Sequence, residues 1–171
     1  QLLGGKMRDS LRLYWSHCGS MRSRHDEEFG VRPVKTTDDL KKLSEEVLER
    51  GYTAIKTNLI DLDDLKNAND DQWRFRSPVG DAPAPIVRQA VAIIETFRDA
   101  LGPDIGIALD VAFRFKLGGA IKLARALEPY DLMWLETETL DPAALRLIRE
   151  STSTTICHGE SLFGTHQYKP F

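Results

Sequence analysis

The sequence has 171 residues, 42% hydrophobic and 29% charged, a composition typical of a soluble protein with one buried core. Its net charge of −3 gives no reason to expect a nucleic acid or a membrane surface as partner. No apolar run approaches the roughly 18 residues of a membrane span, and Cys18 and Cys157 make no disulfide framework, so we expect a cytoplasmic protein. The chain begins at Gln1 and ends at Phe171 just after a predicted strand, so we expect it to be part of a longer protein.

The first predicted strand is Leu11–Ser16, where apolar and polar residues alternate and aromatic residues are present. A polar stretch follows over residues 19–33, which we interpret as a loop. A helix is then predicted to begin near Thr37 or Asp38, either of which is a good N-cap, and to end at Gly51.

The second predicted strand is Tyr52–Leu59, and its alternation places Lys56 and Asn58 on one face. A long acidic loop runs from Ile60 to Pro85, a length that is typical of lids and binding loops. Pro85 favours the first turn of the next helix, which is predicted to end near Leu101.

Each of the next three apolar runs ends in a carboxylate: Ile105–Asp110, Asp131–Glu136 and Thr155–Glu160. Amphipathic segments lie between them, one over residues 118–127 and one that starts at the Asp141 cap. Strict alternation of strands and helices predicts an α/β protein with a parallel sheet. It fits either an open doubly wound sheet or part of a (β/α)8 barrel. The lack of a Gly-x-Gly-x-x-Gly motif and the spread of polar groups over many strand ends favour the barrel.

The carboxylates Asp110, Glu136 and Glu160 end successive predicted parallel strands, so they are expected to meet at one mouth of the sheet. Carboxylates at such short distances repel one another unless a proton or a cation neutralises them. Oxygen ligands favour Mg²⁺, before Ca²⁺, as that cation. The alternative is that each acidic residue only caps the helix that follows it.

At these residues the sequence resembles the enolase superfamily: Lys56 on the second strand, Asp110 on the third, Glu136 on the fourth and Gly159-Glu160 on the fifth. The stretch Leu2–Asp9 and the Lys56-Thr-Asn58 context are similar to the mandelate racemase/muconate lactonizing enzyme branch, which includes acid-sugar dehydratases.

This resemblance implies a TIM-type barrel of which about five βα units are present. Residues 1–10 would be the end of a connection from a capping domain, and residues 11–171 the first five strands of the barrel. The capping domain and the last strands would lie outside this chain.

The resemblance also implies that Asp110, Glu136 and Glu160 bind Mg²⁺, and that Lys56 helps to neutralise the substrate carboxylate. A proton would be taken from the α-carbon to give a metal-stabilised enediolate. Asn58 stands where the family has a second Lys that acts as a base. Ala112 likewise stands where relatives often have Asn.

Because Asn cannot abstract an α-proton at neutral pH, Asn58 favours one-base chemistry: a metal-dependent hydro-lyase that dehydrates a sugar acid. The base would come from a His–Asp pair on later strands. The protein would work on a small-molecule sugar acid, and we expect it to be a homo-oligomer. A racemase, epimerase or cycloisomerase of the same superfamily, or an inactive relative, are the alternatives; the intact Lys56, Asp110, Glu136 and Glu160 argue against an inactive one.

Further candidates for substrate binding lie in two loops. We predict that Arg22, Arg24 and His25, in the loop after the first strand, bind substrate hydroxyls or a distal carboxylate. We predict that Trp73, in the long acidic loop, belongs to a lid over the substrate. A solvated basic loop and a packing Trp are the alternative interpretation. We interpret His158 and Cys157 as structural residues, and His166 as an exposed loop residue.

Overall fold

The computed structural model describes residues 4–65 and 80–171. At its centre is a parallel sheet of four strands that follow the order of the chain, β1-β2-β3-β4. The strands are β1 (Ala54–Asn58), β2 (Gly106–Asp110), β3 (Trp134–Glu136) and β4 (Ile156–Cys157). Each strand pairs with the next along the chain, as in the wall of a TIM-type barrel, so the predicted α/β class is confirmed.

The helices that cross between the strands are those that the sequence predicts. Within residues 4–65 and 80–171, no helix is both long and apolar enough to cross a membrane. A short 3₁₀ turn, Glu128–Tyr130, precedes β3. The helices are α1 (Ser20–Arg24), α2 (Asp26–Phe29), α3 (Thr37–Glu49), α4 (Ala84–Leu101), α5 (Leu117–Leu127), α6 (Pro142–Glu150) and α7 (Gly164–Tyr168).

Local chemistry explains where these helices begin. At α3, the Thr36 side chain accepts from the Asp39 N–H and Asp39 bonds back to the Thr36 N–H, which is a capping box. At α6, Asp141 accepts from the Ala143 N–H and Pro142 occupies the first helical position. These pairings satisfy N–H groups that have no partner within the helix.

The core lies between the outer face of the sheet and the helices. Alternation along the strands places one row of apolar side chains against α3, α4 and α5. In that row Ile55, Ile107, Leu109 and Leu135 are fully buried, and Phe97 and Leu123 from the helices cover them. The opposite face of the sheet therefore carries the polar residues, which point toward the inside of the barrel wall.

The predicted strand at Leu11–Ser16 is wrong in extent. Only Trp15 pairs, through an isolated parallel bridge to Ile55, with Trp15 N donating to Ala54 O over 3.0 Å. Leu11 and Leu13 are 74% and 70% exposed, so the preceding residues lack the packing that would extend the strand.

Two further segments differ from the sequence prediction. The stretch 19–33, predicted as a loop, contains the short helices α1 and α2. The last predicted strand, Thr155–Glu160, is reduced to Ile156–Cys157 because the chain turns at Gly159, whose φ is +115°. Glu160 therefore lies in a turn beyond the strand rather than at its end.

Candidate active site

Strand pairing places one row of polar residues across the inner face of the sheet. Asn58 is the register partner of Asp110, Asp110 of Glu136, and Glu136 of Cys157. Register partners in a parallel sheet point to the same side, so these side chains line the C-terminal edge together. Asp110 and Glu136 are 8% and 7% exposed, so their charges are largely removed from water.

The Lys56 side chain connects the two buried carboxylates. Its Nζ lies 3.2 Å from Asp110 Oδ2 and 2.9 Å from Glu136 Oε2. Burial alone lowers the pKa of Lys56, but the hydrogen bond to Glu136 and the negative charge of Asp110 outweigh it and raise the pKa above its ordinary value. Lys56 is therefore a permanent cation between the carboxylates. Trp134 Nε1 also donates to Glu136 Oε2 over 3.4 Å.

The second oxygen of Asp110 is held by the turn that follows β2. Ala112 N donates to Asp110 Oδ1 over 3.0 Å. Ala112 itself has a φ of +46°, a left-handed conformation that is unfavourable for a residue with a Cβ. Such backbone strain concentrates at functional sites, and here the strained turn orients a carboxylate.

Both ends of the Asn58 amide are hydrogen-bonded. Its Oδ1 accepts from Ser20 Oγ and from His17 Nδ1, each over 2.9 Å, and its Nδ2 donates to Asp110 O over 3.2 Å. His17 is exposed and has a φ of +53°. The sequence analysis missed His17, although a His directly after the first predicted strand was a signal that it stands at the same edge.

Glu160 lies close enough to Asp110 and Glu136 for their charges to affect its pKa. Glu160 is exposed as a whole residue, but partial desolvation of its carboxyl group, followed by the negative charges of Asp110 and Glu136, raises its pKa. Among the described residues, however, no group of three His, Cys, Asp or Glu side chains is arranged to hold a metal ion. The structure thus brings Asp110 and Glu136 together around Lys56, and the convergence of all three carboxylates on one ion stays a prediction.

The donor set nevertheless fits a hard divalent cation. All three side chains offer carboxylate oxygens, which Mg²⁺ prefers. The Lys56 ammonium already occupies a cation position between Asp110 and Glu136. The charges of Asp110 and Glu136 also disfavour the ionised form of Glu160, and a cation would relieve that repulsion.

The other predicted substrate-binding residues contact different partners. Arg22 pairs with both carboxylate oxygens of Glu46 on α3, at 2.7 and 3.0 Å, and its guanidinium lies 5.3 Å from the Trp15 ring. Arg24 Nη2 donates to Leu59 O over 3.4 Å. His25 lies 3.1 Å from Glu28. Trp73 lies outside the described residues. Substrate binding by these four residues stays a prediction.

A buried carboxylate that the sequence analysis missed lies next to this edge. Glu138 has a fully buried side chain, and the His158 side chain is 6% exposed with its Nδ1 3.3 Å from Glu138 Oε2. The thiol of Cys157 has a pKa raised by burial and then by the charge of Glu136, which keeps it protonated. His166 is exposed on α7.

A parallel sheet with acidic side chains at its C-terminal edge, and a lysine on the first of its strands, is the arrangement of the wall of a TIM-type barrel. The family model described as enolase C-terminal domain-like matches residues 39–171. The chain therefore belongs to the enolase superfamily, and its relatives place it in the mandelate racemase/muconate lactonizing enzyme group, as the sequence predicted.

Two curated relatives match nearly the whole chain. A D-galactonate dehydratase family member from Pseudarthrobacter chlorophenolicus is 28% identical over 99% of this chain and 42% of its own length. A D-xylonate dehydratase from Haloferax volcanii is 31% identical over 95% of this chain and 35% of its own length. The chain thus spans less than half the length of these relatives.

A solved structure also matches nearly the whole of this chain and less than half of its own. A Burkholderia xenovorans protein assigned as an L-alanine-DL-glutamate epimerase is 35% identical, with a TM-score of 0.85 over 99% of this chain and 44% of that chain. A second structure of the epimerase from the same strain contains magnesium and fumarate.

Proposed function

We propose that the full-length protein is a Mg²⁺-dependent hydro-lyase that dehydrates a sugar acid after removal of the proton on the α-carbon of its carboxylate. The observation that carries this proposal is the ion triad of Lys56, Asp110 and Glu136 at the C-terminal edge of a parallel sheet. Active sites of TIM-type barrels lie at this edge.

Asp110, Glu136 and Glu160 would hold the Mg²⁺. When bound, the ion would supply a Lewis acid that offsets negative charge on the substrate carboxylate as the α-carbon loses its proton. The magnesium in the Burkholderia xenovorans relative supports this assignment. The burial of Asp110 and Glu136 strengthens their attraction for a cation, because water screens their charges little there.

Lys56 would contribute charge rather than act as a base. Its raised pKa keeps the ammonium protonated at neutral pH, and its Nζ lies within 3.2 Å of both carboxylates. A substrate carboxylate bound at this edge would therefore meet a fixed positive charge. Charge that is oriented before the reaction stabilises a developing anion at little reorganisation cost.

Asn58 supports one-base chemistry. An amide has no basic lone pair at neutral pH, and its oxygen already accepts from Ser20 and His17. Strand β1 thus offers no base at this position, and the general base would come from the remainder of the longer chain. Dehydration of a sugar acid needs one base and an acid that assists departure of the β-hydroxyl, and the dehydratase names of the two curated relatives support that class.

Epimerisation is the second candidate, favoured by the epimerase assignment of the 35% identical Burkholderia xenovorans protein. This reaction shares the α-proton removal but returns a proton to the opposite face of the carbon. It would need a second acid–base group, and His17, whose Nδ1 lies 2.9 Å from Asn58 Oδ1, is an imidazole at this end of the sheet.

We also propose that residues 1–10 end the connection from a capping domain and that residues 11–171 are the first part of the barrel. The matched family model covers residues 39–171, which supports the assignment of most of the second segment to the barrel.

The test uses the full-length protein with Mg²⁺ and two substrate panels, sugar acids and dipeptides that contain glutamate. Nuclear magnetic resonance in deuterium oxide follows the keto-deoxy acid formed by dehydration and deuterium incorporation at the α-carbon. We expect keto-deoxy acid from at least one sugar acid, and none in EDTA. Epimerised dipeptide without dehydration of any sugar acid would replace this proposal with the second candidate.

A further inference from the structure

One buried carboxylate fixes both neighbours of Glu160. Glu138 Oε1 accepts from Gly159 N over 2.8 Å, and Glu138 Oε2 accepts from Ser161 Oγ over 2.6 Å. Gly159 and Ser161 flank Glu160 in the chain, so a single side chain bonds to both sides of that residue. The Glu138 side chain is fully buried, so water does not compete for these bonds.

Two further hydrogen bonds hold the same turn, and both are made to the carbonyl oxygen of Gly159. Tyr168 Oη donates to Gly159 O over 2.9 Å, and Leu162 N donates to that same oxygen over 3.2 Å. Gly159 has a φ of +115°, which a residue with a Cβ rarely adopts. The direction in which Glu160 leaves the backbone is therefore set by bonds to its neighbours, since β4 has already ended at Cys157.

Glu138 is itself anchored to the strand ends that carry the other carboxylates. It lies two residues beyond Glu136, and its N–H donates to Ala112 O over 2.9 Å. Ala112 in turn holds Asp110 Oδ1 through its own N–H. Glu138 thus ties the turn around Glu160 to the segments that orient Asp110 and Glu136.

From these contacts we propose that Glu138 is a positioning residue that orients Glu160 toward a divalent cation shared with Asp110 and Glu136. This inference rests on the Mg²⁺ site of the proposed function. A carboxylate is suited to the task because its two oxygens accept from a backbone N–H and a hydroxyl at once. An apolar side chain of similar size would leave the Gly159 N–H, which is buried, without its partner.

The decisive variants of the full-length protein are Glu138→Leu, Glu138→Gln and Ser161→Ala, with Glu45→Gln on the exposed face of α3 as control. Isothermal titration measures Mg²⁺ affinity, and thermal melting without Mg²⁺ reports folding. We expect Glu138→Leu to weaken Mg²⁺ binding roughly 10–100-fold, as for other groups that orient metal ligands. Glu138→Gln should restore most of the affinity, because its amide accepts from Gly159 N–H and donates to Ser161 Oγ. Glu45→Gln should change nothing.

Equal Mg²⁺ affinity in wild type and Glu138→Leu would overturn the inference, and so would equal losses in the Leu and Gln variants, which would indicate a charge effect. If Glu138→Leu does not fold, Ser161→Ala is the decisive variant, because it removes one of the two hydrogen bonds that join Glu138 to the neighbours of Glu160. Unchanged Mg²⁺ affinity in Ser161→Ala would contradict the positioning role. If wild type dehydrates a sugar acid but the variants bind Mg²⁺ with unchanged affinity, the inference about Glu138 is wrong and the proposed function stands. The expected Mg²⁺ pattern without any dehydration rejects the sugar-acid activity and leaves the inference standing.

Discussion

Lys56 Nζ lies 2.9 Å from Glu136 Oε2 although the two residues are 80 positions apart in the sequence. They belong to strands β1 and β3, which are separated by β2. The contact across β2 is made over Ala108, the register partner of both Lys56 and Trp134. A methyl group at that position leaves room for the lysine side chain to pass. This explains how one ammonium contacts carboxylates on both β2 and β3.

Replacing Lys56 by Met should reduce turnover of the full-length enzyme by orders of magnitude, because the charge beside the substrate carboxylate is lost. Without Mg²⁺ it should also destabilise the fold by about 3 kcal/mol, since Asp110 and Glu136 are left buried without a cation. Urea unfolding with and without Mg²⁺ measures this, and Mg²⁺ should recover much of the loss. Lys41→Met removes an exposed pair with Asp38 that water screens, so it should change stability far less than Lys56→Met does. Similar costs for both variants would contradict the role of Lys56.

Replacing Asn58 by Lys restores the second base of the family. If Asn58 marks a one-base dehydratase, this variant should exchange solvent deuterium into the α-position from the face that wild type leaves untouched. Nuclear magnetic resonance of the recovered substrate checks the exchange. Equal exchange of both enantiomers by wild type would instead favour a racemase.

The raised pKa of Glu160, caused by burial and then by the charges of Asp110 and Glu136, gives two pH effects of opposite sign. A carboxyl with a raised pKa in the folded protein favours its protonated form there, so its stabilising contribution is present below its ordinary pKa and is lost as pH rises through the raised one. Mg²⁺ competes with that proton, so Mg²⁺ affinity should rise over the same interval. Melting temperatures with EDTA and with Mg²⁺ should therefore diverge as pH increases. Parallel curves would contradict the prediction, and a divergence unchanged in Glu160→Gln would assign the effect to another group.

Replacing Arg22 by Met separates a structural role from substrate binding. The bidentate pair with Glu46 is partly buried, so its loss should cost about 2 kcal/mol of stability. The same pair lowers the pKa of Glu46 through the hydrogen bond from Arg22, so the loss should shrink as pH falls through that lowered pKa. Urea unfolding checks the stability, and steady-state kinetics the KM. An increase in KM at unchanged stability would instead place Arg22 on the substrate.

Two adjacent glycines in α5 should respond oppositely to alanine. At Gly119 an added Cβ would lie 2.7 Å from Ala82 N, a backbone atom that cannot move aside cheaply, so Gly119→Ala should destabilise by about 1–3 kcal/mol. At Gly118 the nearest atom is a side-chain oxygen of Asp81 at 3.4 Å, and Gly118→Ala should stabilise the helix by about 0.5–1 kcal/mol. Urea unfolding of both variants compares them, and equal effects would show that α5 does not pack closely on residues 80–82.

The sequence by itself determined the alternation of strands and helices that follows residue 36, and the acidic residues at two of the strand ends. Caps, prolines and apolar periodicity act within a few residues, so α3, α4, α5 and α6 lie close to their predicted positions. Carboxylates at the ends of apolar runs likewise identified Asp110 and Glu136, because a buried strand leaves its acidic residue at the sheet edge.

Only the tertiary structure decided what depends on partners far apart in the chain. Leu11–Ser16 has the composition of a strand, but pairing needs a neighbour, and only Trp15 finds one. Arg22 contacts Glu46 and Trp15 because α1 packs near α3, which no local pattern reveals. Glu138 is an unremarkable residue in the sequence, and its contacts with Gly159 and Ser161 exist because the register of β3 and β4 brings the two strand ends together.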